Sequence, residues 1–269
     1  MQLSNYLKNG ILGAIALLFA GARFIPGANA NGPVLTAAAA MVVGKDSTTE
    51  IGAGSMSPVA TKTTEALRAF ASVVRPLSHP KALEVAFHSY FSYKAAHPAD
   101  VKKPLLYFVD YGLPSTKPRG YVFDMNALQV IEGPFTVAHG RGSSTSQYGV
   151  PKRFSNASGS AATSLGLYVA QNTYSFHGKS AGHSYSSIGL KLQGVSGSYN
   201  DNARARGVVA HGAPYVTPAQ AGRSEGCPAM EQQRAQRVLP ELANGGMVFL
   251  FGLDQEWMAD DPWVAATVD

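Results

Sequence analysis

The 269-residue sequence contains one cysteine, Cys227, so no disulfide can close within the chain. Charge is sparse, with Asp, Glu, Lys and Arg together making 14% of residues. No dense Lys/Arg tract with aromatics between its residues occurs, which removes the usual signature of a nucleic-acid binder. No apolar run reaches the ~18 residues that a membrane-spanning helix requires. The histidines include no pair at the i, i+4 spacing of a helical zinc motif, and no acidic ligand stands at a recognisable offset from them. A zinc set drawn from His139, His177, His183 and His211 is therefore disfavoured, and no metal is expected. There is no internal repeat, which excludes solenoids and propellers.

What is present begins with an export pattern. Lys8 gives a positive start, Ile11 to Ala20 is apolar, and Ala28-Asn29-Ala30 is a small-x-small cleavage site, the order of a secretory signal peptide over residues 1–30. An uncleaved anchor is the alternative, because Pro33 to Val43 is also apolar. Cleavage near Ala30 removes Lys8 and Arg23 and leaves 20 Lys and Arg against 17 Asp and Glu, a net +3. So mild an excess does not suggest nucleic acid and is only weakly compatible with a polyanionic cell wall, and no stable membrane insertion is expected after cleavage. A lone thiol in an oxidising compartment is a liability unless it is buried or used, which draws attention to Cys227.

The remainder divides by composition. Residues 31–64 read as a flexible linker, Ala-rich and then Ser/Thr-rich. Residues 65–103 read as a helical extension. One helix runs from about Thr63 to Val74 and stops at Arg75-Pro76; a second runs from Pro80 to Ala96 with Phe87, Tyr90 and Phe91 facing a core. From residue 104 to 253 the period changes to that of strands, expected at 105–110, 120–125, 130–138, 164–170, 187–193, 206–211 and 247–252. The segment from Tyr121 to Ile131 forms a hairpin, and a helix follows at 231–242. The Gly/Ser/Asn-rich stretch 140–159 is too long for a plain connector and reads as a binding loop or lid. The acidic tail 254–269, with Trp257 and Trp263, carries no pattern that assigns it an element. The fold class implied is α+β, mainly β, rather than a doubly wound sheet.

Cys227 lies in Gly222-Arg223-Ser224-Glu225-Gly226-Cys227-Pro228-Ala229, between a glycine and a proline. A packing cysteine usually sits in an apolar run, whereas loop punctuation on both sides suits a reachable thiol. His211 ends the apolar run Gly207-Val208-Val209-Ala210, and Gly212 then turns the chain. A strand-end histidine and a loop cysteine are the ingredients of a base-activated thiolate. The N–H groups of Gly226 and Cys227 are placed to face a developing oxyanion, each worth ~3–4 kcal/mol when well aimed. A buried structural cysteine is the plainer reading.

The pair His211-Gly212 with Ser224-x-Gly226-Cys227 resembles the signature of the L,D-transpeptidase catalytic domain, the YkuD-like family of cell-wall cross-linking enzymes. Phe154-Ser155-Asn156, Ser164-Leu165-Gly166, Asn200-Asp201-Asn202-Ala203-Arg204 and Gly226-Cys227-Pro228-Ala229 are similar to its proteobacterial branch. The resemblance spans about Tyr107 to Phe251. It implies a catalytic domain of mixed β-sheets with a helix after the cysteine. It also implies a periplasmic, monomeric enzyme that needs no cofactor and is acylated by carbapenems. In such an enzyme Cys227 attacks the carbonyl of an L-centre in a peptidoglycan stem peptide, and the thioester passes to a diaminopimelate amine, giving 3-3 or 1-3 cross-links. His211 serves as base and then acid, its other nitrogen held by a backbone carbonyl. Hydrolysis, as an L,D-carboxypeptidase or endopeptidase, is the rival within this chemistry, and a non-catalytic wall-binding protein is the rival outside it.

Two positions depart from the commoner motif of that family. Glu225 stands where a histidine is usual, and Ala229 replaces the arginine two residues past the cysteine. Arg223 or Arg204 is the candidate to supply that charge, and Glu225, which would oppose thiolate formation, is expected to face solvent. Other expected cleft residues are Ser224, Gly212, His177, Tyr185 and Tyr215, with His177 as a hydrogen-bond donor. His139 reads as a surface or capping histidine. Asn200-Asp201-Asn202 is equally consistent with a structural turn and with substrate contact.

Overall fold

A computed structural model describes residues 56–267. The expected signal peptide and most of the expected linker lie outside the described residues. The elements are α1 (Pro58–Phe70), α2 (Ala82–Ala96), β1 (Leu105–Asp110), β2 (Gly120–Asp124), β3 (Gln129–Phe135), β4 (His139–Gly140), β5 (Gly166–Ser180) and β6 (His183–Gly194). They continue with β7 (Val209–Gly212), β8 (Arg223–Ser224), β9 (Ala229–Met230), α3 (Gln232–Leu242), β10 (Met247–Phe251) and α4 (Gln255–Asp260). Eight strands form one mixed sheet in the order β3-β2-β1-β10-β5-β6-β7-β9, and β4 pairs with β8 in a second. The fold is α+β and mainly β.

The central strands are apolar without interruption because both faces of the sheet are covered. Along β1, Leu106 and Phe108 enter a core shared with α1, α2 and α4, while Tyr107 and Val109 enter a core shared with α3. The same alternation splits Met247, Phe249 and Phe251 of β10 from Val248 and Leu250. On the α1/α2 side the rings of Phe70, Phe87 and Phe123 meet at centroid distances of 4.6–5.5 Å. Each such fully buried side chain contributes about 1.5–3 kcal/mol relative to exposure. The helical extension is thus one layer of the domain's packing. Asp110, at the end of β1, fastens the approach to α2 by accepting hydrogen bonds from the Ser78 amide at 2.7 Å and the Ser78 hydroxyl at 2.6 Å.

Three local expectations are corrected. The first helix starts at Pro58, inside the stretch read as linker. The Ser57 hydroxyl caps it by accepting from the Ala60 amide at 3.1 Å, and Pro58 suits its first turn. That helix ends at Phe70 rather than at Val74. The strands expected at 164–170 and 187–193 are the roots of one long hairpin that continues to a turn at Ala181-Gly182. Residues 171–186 are mostly polar because they extend past the two large cores, with Tyr174, Phe176 and Tyr185 as half-buried exceptions. The tail also acquires a place: Asp254 caps α4, Trp257 is buried against Phe249 and Phe251, and the Trp263 ring meets Tyr93.

Candidate active site

The edge of the large sheet carries the chemistry. β7 lies between β6 and β9, with His211 opposite Gly189 on one side and Ala229 on the other. The His211 ring is buried, and it stacks on Phe176 of β5 at 4.1 Å and 18°. Its Nδ1 is 3.1 Å from the Gly212 carbonyl oxygen. A carbonyl only accepts, so Nδ1 carries the proton and Nε2 keeps a free lone pair. Gly212 is packed so closely that a Cβ there would lie 2.4 Å from the Ser187 hydroxyl oxygen. Its carbonyl holds the histidine.

Cys227 sits in the short loop joining β8 to β9. The Ser224 hydroxyl donates to the Cys227 carbonyl at 2.7 Å and accepts from the Gly226 amide at 3.1 Å. Gly226 has φ +125°, and a Cβ there would lie 2.8 Å from the Ala162 carbonyl oxygen, so the loop requires glycine. Two expectations change here. Ser224 is buried and committed to the loop, not presented to a substrate. The Gly226 N–H is likewise occupied, which leaves the Cys227 N–H, unpartnered among the described residues, as the loop's candidate oxyanion donor.

The sulfur of half-buried Cys227 rests against β7, where it accepts from the Val209 amide at 3.5 Å and lies 3.9 Å from the Gly207 carbonyl oxygen. The Pro228 carbonyl accepts from the His211 amide at 3.4 Å, so the nucleophile loop is stitched to the histidine strand. Burial pushes the thiol up to about 11, and the Glu225 carboxylate adds to that; the Val209 amide and the Arg206 guanidinium oppose it. Burial takes His211 down to about 4, against the pull of the Gly212 carbonyl. With these shifts the thiol and the imidazole both rest neutral, and no hydrogen bond joins them among the described residues.

This arrangement sits within a recognisable sequence family. A family model described as the L,D-transpeptidase catalytic domain matches residues 76–251. The chain belongs to that family. Among solved structures, an L,D-transpeptidase from Mycobacterium smegmatis is 12% identical, covering 55% of this chain and 58% of its own, with a TM-score of 0.34. One from Mycobacterium tuberculosis H37Rv is 16% identical over 55% and 57%, with a TM-score of 0.31. Residues 123–326 of one from Xylanimonas cellulosilytica DSM 15894 are 14% identical over 71% and 80%, with a TM-score of 0.33. The chain therefore spans little more than half the length of the two mycobacterial structures. A comparison with curated proteins finds no match.

Around the cysteine of this L,D-transpeptidase domain, the other expected residues separate into near and far. Tyr174, Tyr185 and Tyr215 lie close enough to the sulfur that its charge opposes their ionisation, and Tyr185 meets Tyr215 edge-on at 6.4 Å. His177 is exposed further out on the hairpin, its Nδ1 3.0 Å from the Ser186 hydroxyl. Glu225 does face solvent and pairs with Arg141 at 2.7 Å. Arg204 is exposed, and its side chain makes no hydrogen bond or ion pair among the described residues. Arg223 donates to the Ser144 carbonyl at 3.1 Å, on the 141–153 loop.

The guanidinium whose charge reaches the sulfur belongs instead to Arg206. It donates to the Ser155 carbonyl at 2.8 Å, the Ala162 carbonyl at 2.7 Å and the Ser160 hydroxyl at 3.1 Å. Arg206, expected as the first residue of the histidine strand, lies instead in the turn before it, since β7 begins at Val209. His139 is not a surface residue. It is fully buried, its Nδ1 accepts from Arg119 Nη2 at 3.0 Å, and its Nε2 has no partner. Burial first, and then the charges of Arg119 and Arg223, lower it to about 3. Asn200 proves structural, its side chain bonding the Ser196 amide and the carbonyls of Leu165 and Leu167. No group of three or more His, Cys, Asp or Glu able to hold a metal occurs among the described residues.

Proposed function

We propose that this L,D-transpeptidase domain is an exported, periplasmic enzyme that cross-links peptidoglycan stem peptides through a thioester on Cys227. One observation carries the reading. The lone sulfur sits in a loop stitched to the strand of His211, whose tautomer is fixed so that Nε2 is the basic nitrogen. As Sγ bonds to the carbonyl carbon of an L-centre, Nε2 takes the thiol proton. The Cys227 N–H faces the oxyanion that develops, a contribution of about 3–4 kcal/mol. Collapse of the tetrahedral intermediate breaks the C–N bond, and the imidazolium gives its proton to the departing D-amino acid. The side-chain amine of a second stem then attacks the thioester and passes a proton to Nε2. The Cys227 thiolate leaves and takes that proton back. Because both partners rest neutral, proton transfer accompanies attack, and a positioned base of this kind contributes about 10²–10⁴-fold.

The test is incubation of the full chain with muropeptide tetrapeptides, with intact-protein and product masses recorded. The reading expects a Cys227 adduct, short of one D-amino acid where the product is a 3-3 dimer or retaining only the L-Ala end of the stem where it is a 1-3 dimer, with adduct and dimer both abolished in Cys227→Ala. Products of water addition alone would favour the carboxypeptidase or endopeptidase. Wall binding retained by Cys227→Ala, with no adduct on the unaltered chain, would favour the binding protein.

A further inference from the structure

Beside β8, which leads into the nucleophile loop, lies a cationic groove. β4 pairs with β8 through His139 opposite Arg223 and Gly140 opposite Ser224, and the 141–153 loop leaves β4 directly. That loop and Arg223 enclose a cavity of about 570 Å³ lined by Arg141, Lys152, Arg153 and Arg223 among serines, glycines and a valine. Arg141 is paired with Glu225. Lys152, Arg153 and Arg223 meet no carboxylate among the described residues.

The groove is held in shape. The Ser143 carbonyl accepts from the amides of Lys152 at 2.9 Å and Arg153 at 3.2 Å, and the Ser143 hydroxyl accepts from the Thr163 amide at 2.9 Å. The Tyr148 carbonyl accepts from the Ser115 amide at 3.2 Å, and Arg223 is itself tied to Ser144. Three unneutralised cations, Lys152 and Arg153 on the tethered loop and Arg223 on β8, line one cavity and repel one another, an arrangement that an anion between them relieves. No aromatic ring lines the cavity, so it offers no stacking surface for a base. Planar guanidinium and ammonium donors suit a carboxylate.

We infer that this groove is a peptide-carboxylate subsite, which engages a free carboxylate of a stem peptide while another part of that substrate reaches Cys227. The inference rests on the transpeptidase reading above. Arg223, on β8, is four residues before the nucleophile, and Glu225 between the two pairs with Arg141 of the groove. The carboxylate belongs either to the donor stem or to the acceptor stem, and the two steps of the reaction distinguish these sources.

The experiment compares the full-length chain with the double variant K152Q/R153Q and the single variant R223Q, using a tetrapeptide and the same peptide amidated at its carboxylates. Single-turnover adduct formation without acceptor reads the donor arm. The ratio of cross-linked to hydrolysed product, with free or amidated acceptor, reads the acceptor arm. The expected result is that amidation raises the half-saturating concentration of the unaltered chain about tenfold in one arm, the size of one charge-assisted contact. The penalty should fall to under about twofold in both variants. All altered side chains are exposed, so melting temperatures should stay within about 1 °C, and R223Q serves if the double variant fails to fold. Equal amidation penalties in the unaltered chain and the variants, in both arms, overturn the subsite while leaving the enzyme reading standing. Failure of the unaltered chain to form any adduct overturns both.

Discussion

Ser224→Ala isolates the device that presents the nucleophile. The hydroxyl makes two bonds inside a four-residue loop, to the Cys227 carbonyl at 2.7 Å and from the Gly226 amide at 3.1 Å. A typical internal hydrogen bond contributes a net ~1 kcal/mol, and a buried group left unpaired costs about 1–3 kcal/mol. Gly226 is buried, so its orphaned N–H bears most of that penalty. A loss of ~2 kcal/mol lowers the melting temperature of a domain of this size by roughly 4–8 °C. The kinetic effect should be larger than the stability loss implies. With the loop released, a displacement of ~1 Å at Sγ or at the Cys227 N–H slows acylation by up to ~10²-fold, even with the protein fully folded. The assay is stopped-flow or quenched adduct formation at 25 °C beside a thermal melt, with Ser224→Thr as the hydroxyl-bearing control. A Ser224→Ala protein that melts within about 1 °C of the unaltered chain and acylates at the same rate refutes the reasoning. So does one that acylates faster, because the Gly226 N–H would then have served better as a free oxyanion donor.

Further tests follow from the electrostatics. With His211 at about 4 and Cys227 at about 11, the competent neutral pair spans the pH range between. Acylation should decline on the acid side near pH 4, where the base is protonated, and iodoacetamide labelling of Cys227 should climb about tenfold per pH unit towards 11; a labelling plateau at neutral pH would instead show an ion pair. Phe176→Ala opens the stacked face of His211 to water, so its acid limb should move upward toward the ordinary 6.5; an unmoved limb would show that the stack does not supply the burial. His139 remains neutral in the fold to about 3, whereas the unfolded chain takes up the proton from 6.5 downward. Stability is therefore whole above pH 6.5 and falls by about 1.4 kcal/mol per unit of acidification for this group, with His211 adding a similar slope down to about 4. Urea unfolding at pH 6.5 and 4.5 should show His139→Gln losing roughly half as much as the unaltered chain, and equal losses would contradict the assignment.

The elements legible in the sequence are those whose burial writes itself into one contiguous segment. β1 and β10 are covered on both faces and read as unbroken apolar runs, while α3 shows Ala235, Val238, Leu239 and Leu242 at helical spacing. The strand ending at His211 and the loop bearing Cys227 were legible for a related reason: glycine and proline punctuate both. The hairpin beyond Gln171 was not, because its half-buried positions, which alternate with exposed ones, carry Gly178 and Ser180 as well as Tyr174 and Phe176, so the alternation of burial is not one of hydropathy. That Ser224 and Gly212 brace the site is not visible locally, since a polar or small residue near a nucleophile looks alike whether it faces outward or holds the loop. Arg206 and Arg119 are set by partners far along the chain, including Ala162 and Val137, and no local pattern encodes where a guanidinium will point. His139 escaped for the same reason.

A thiol held near 11 is ionised in only about one molecule in ten thousand at pH 7. Peroxide and disulfide exchange both act on the ionised form. The burial that raises the Cys227 thiol would therefore also spare it from oxidants, with no second cysteine in the chain to serve as a rescuer.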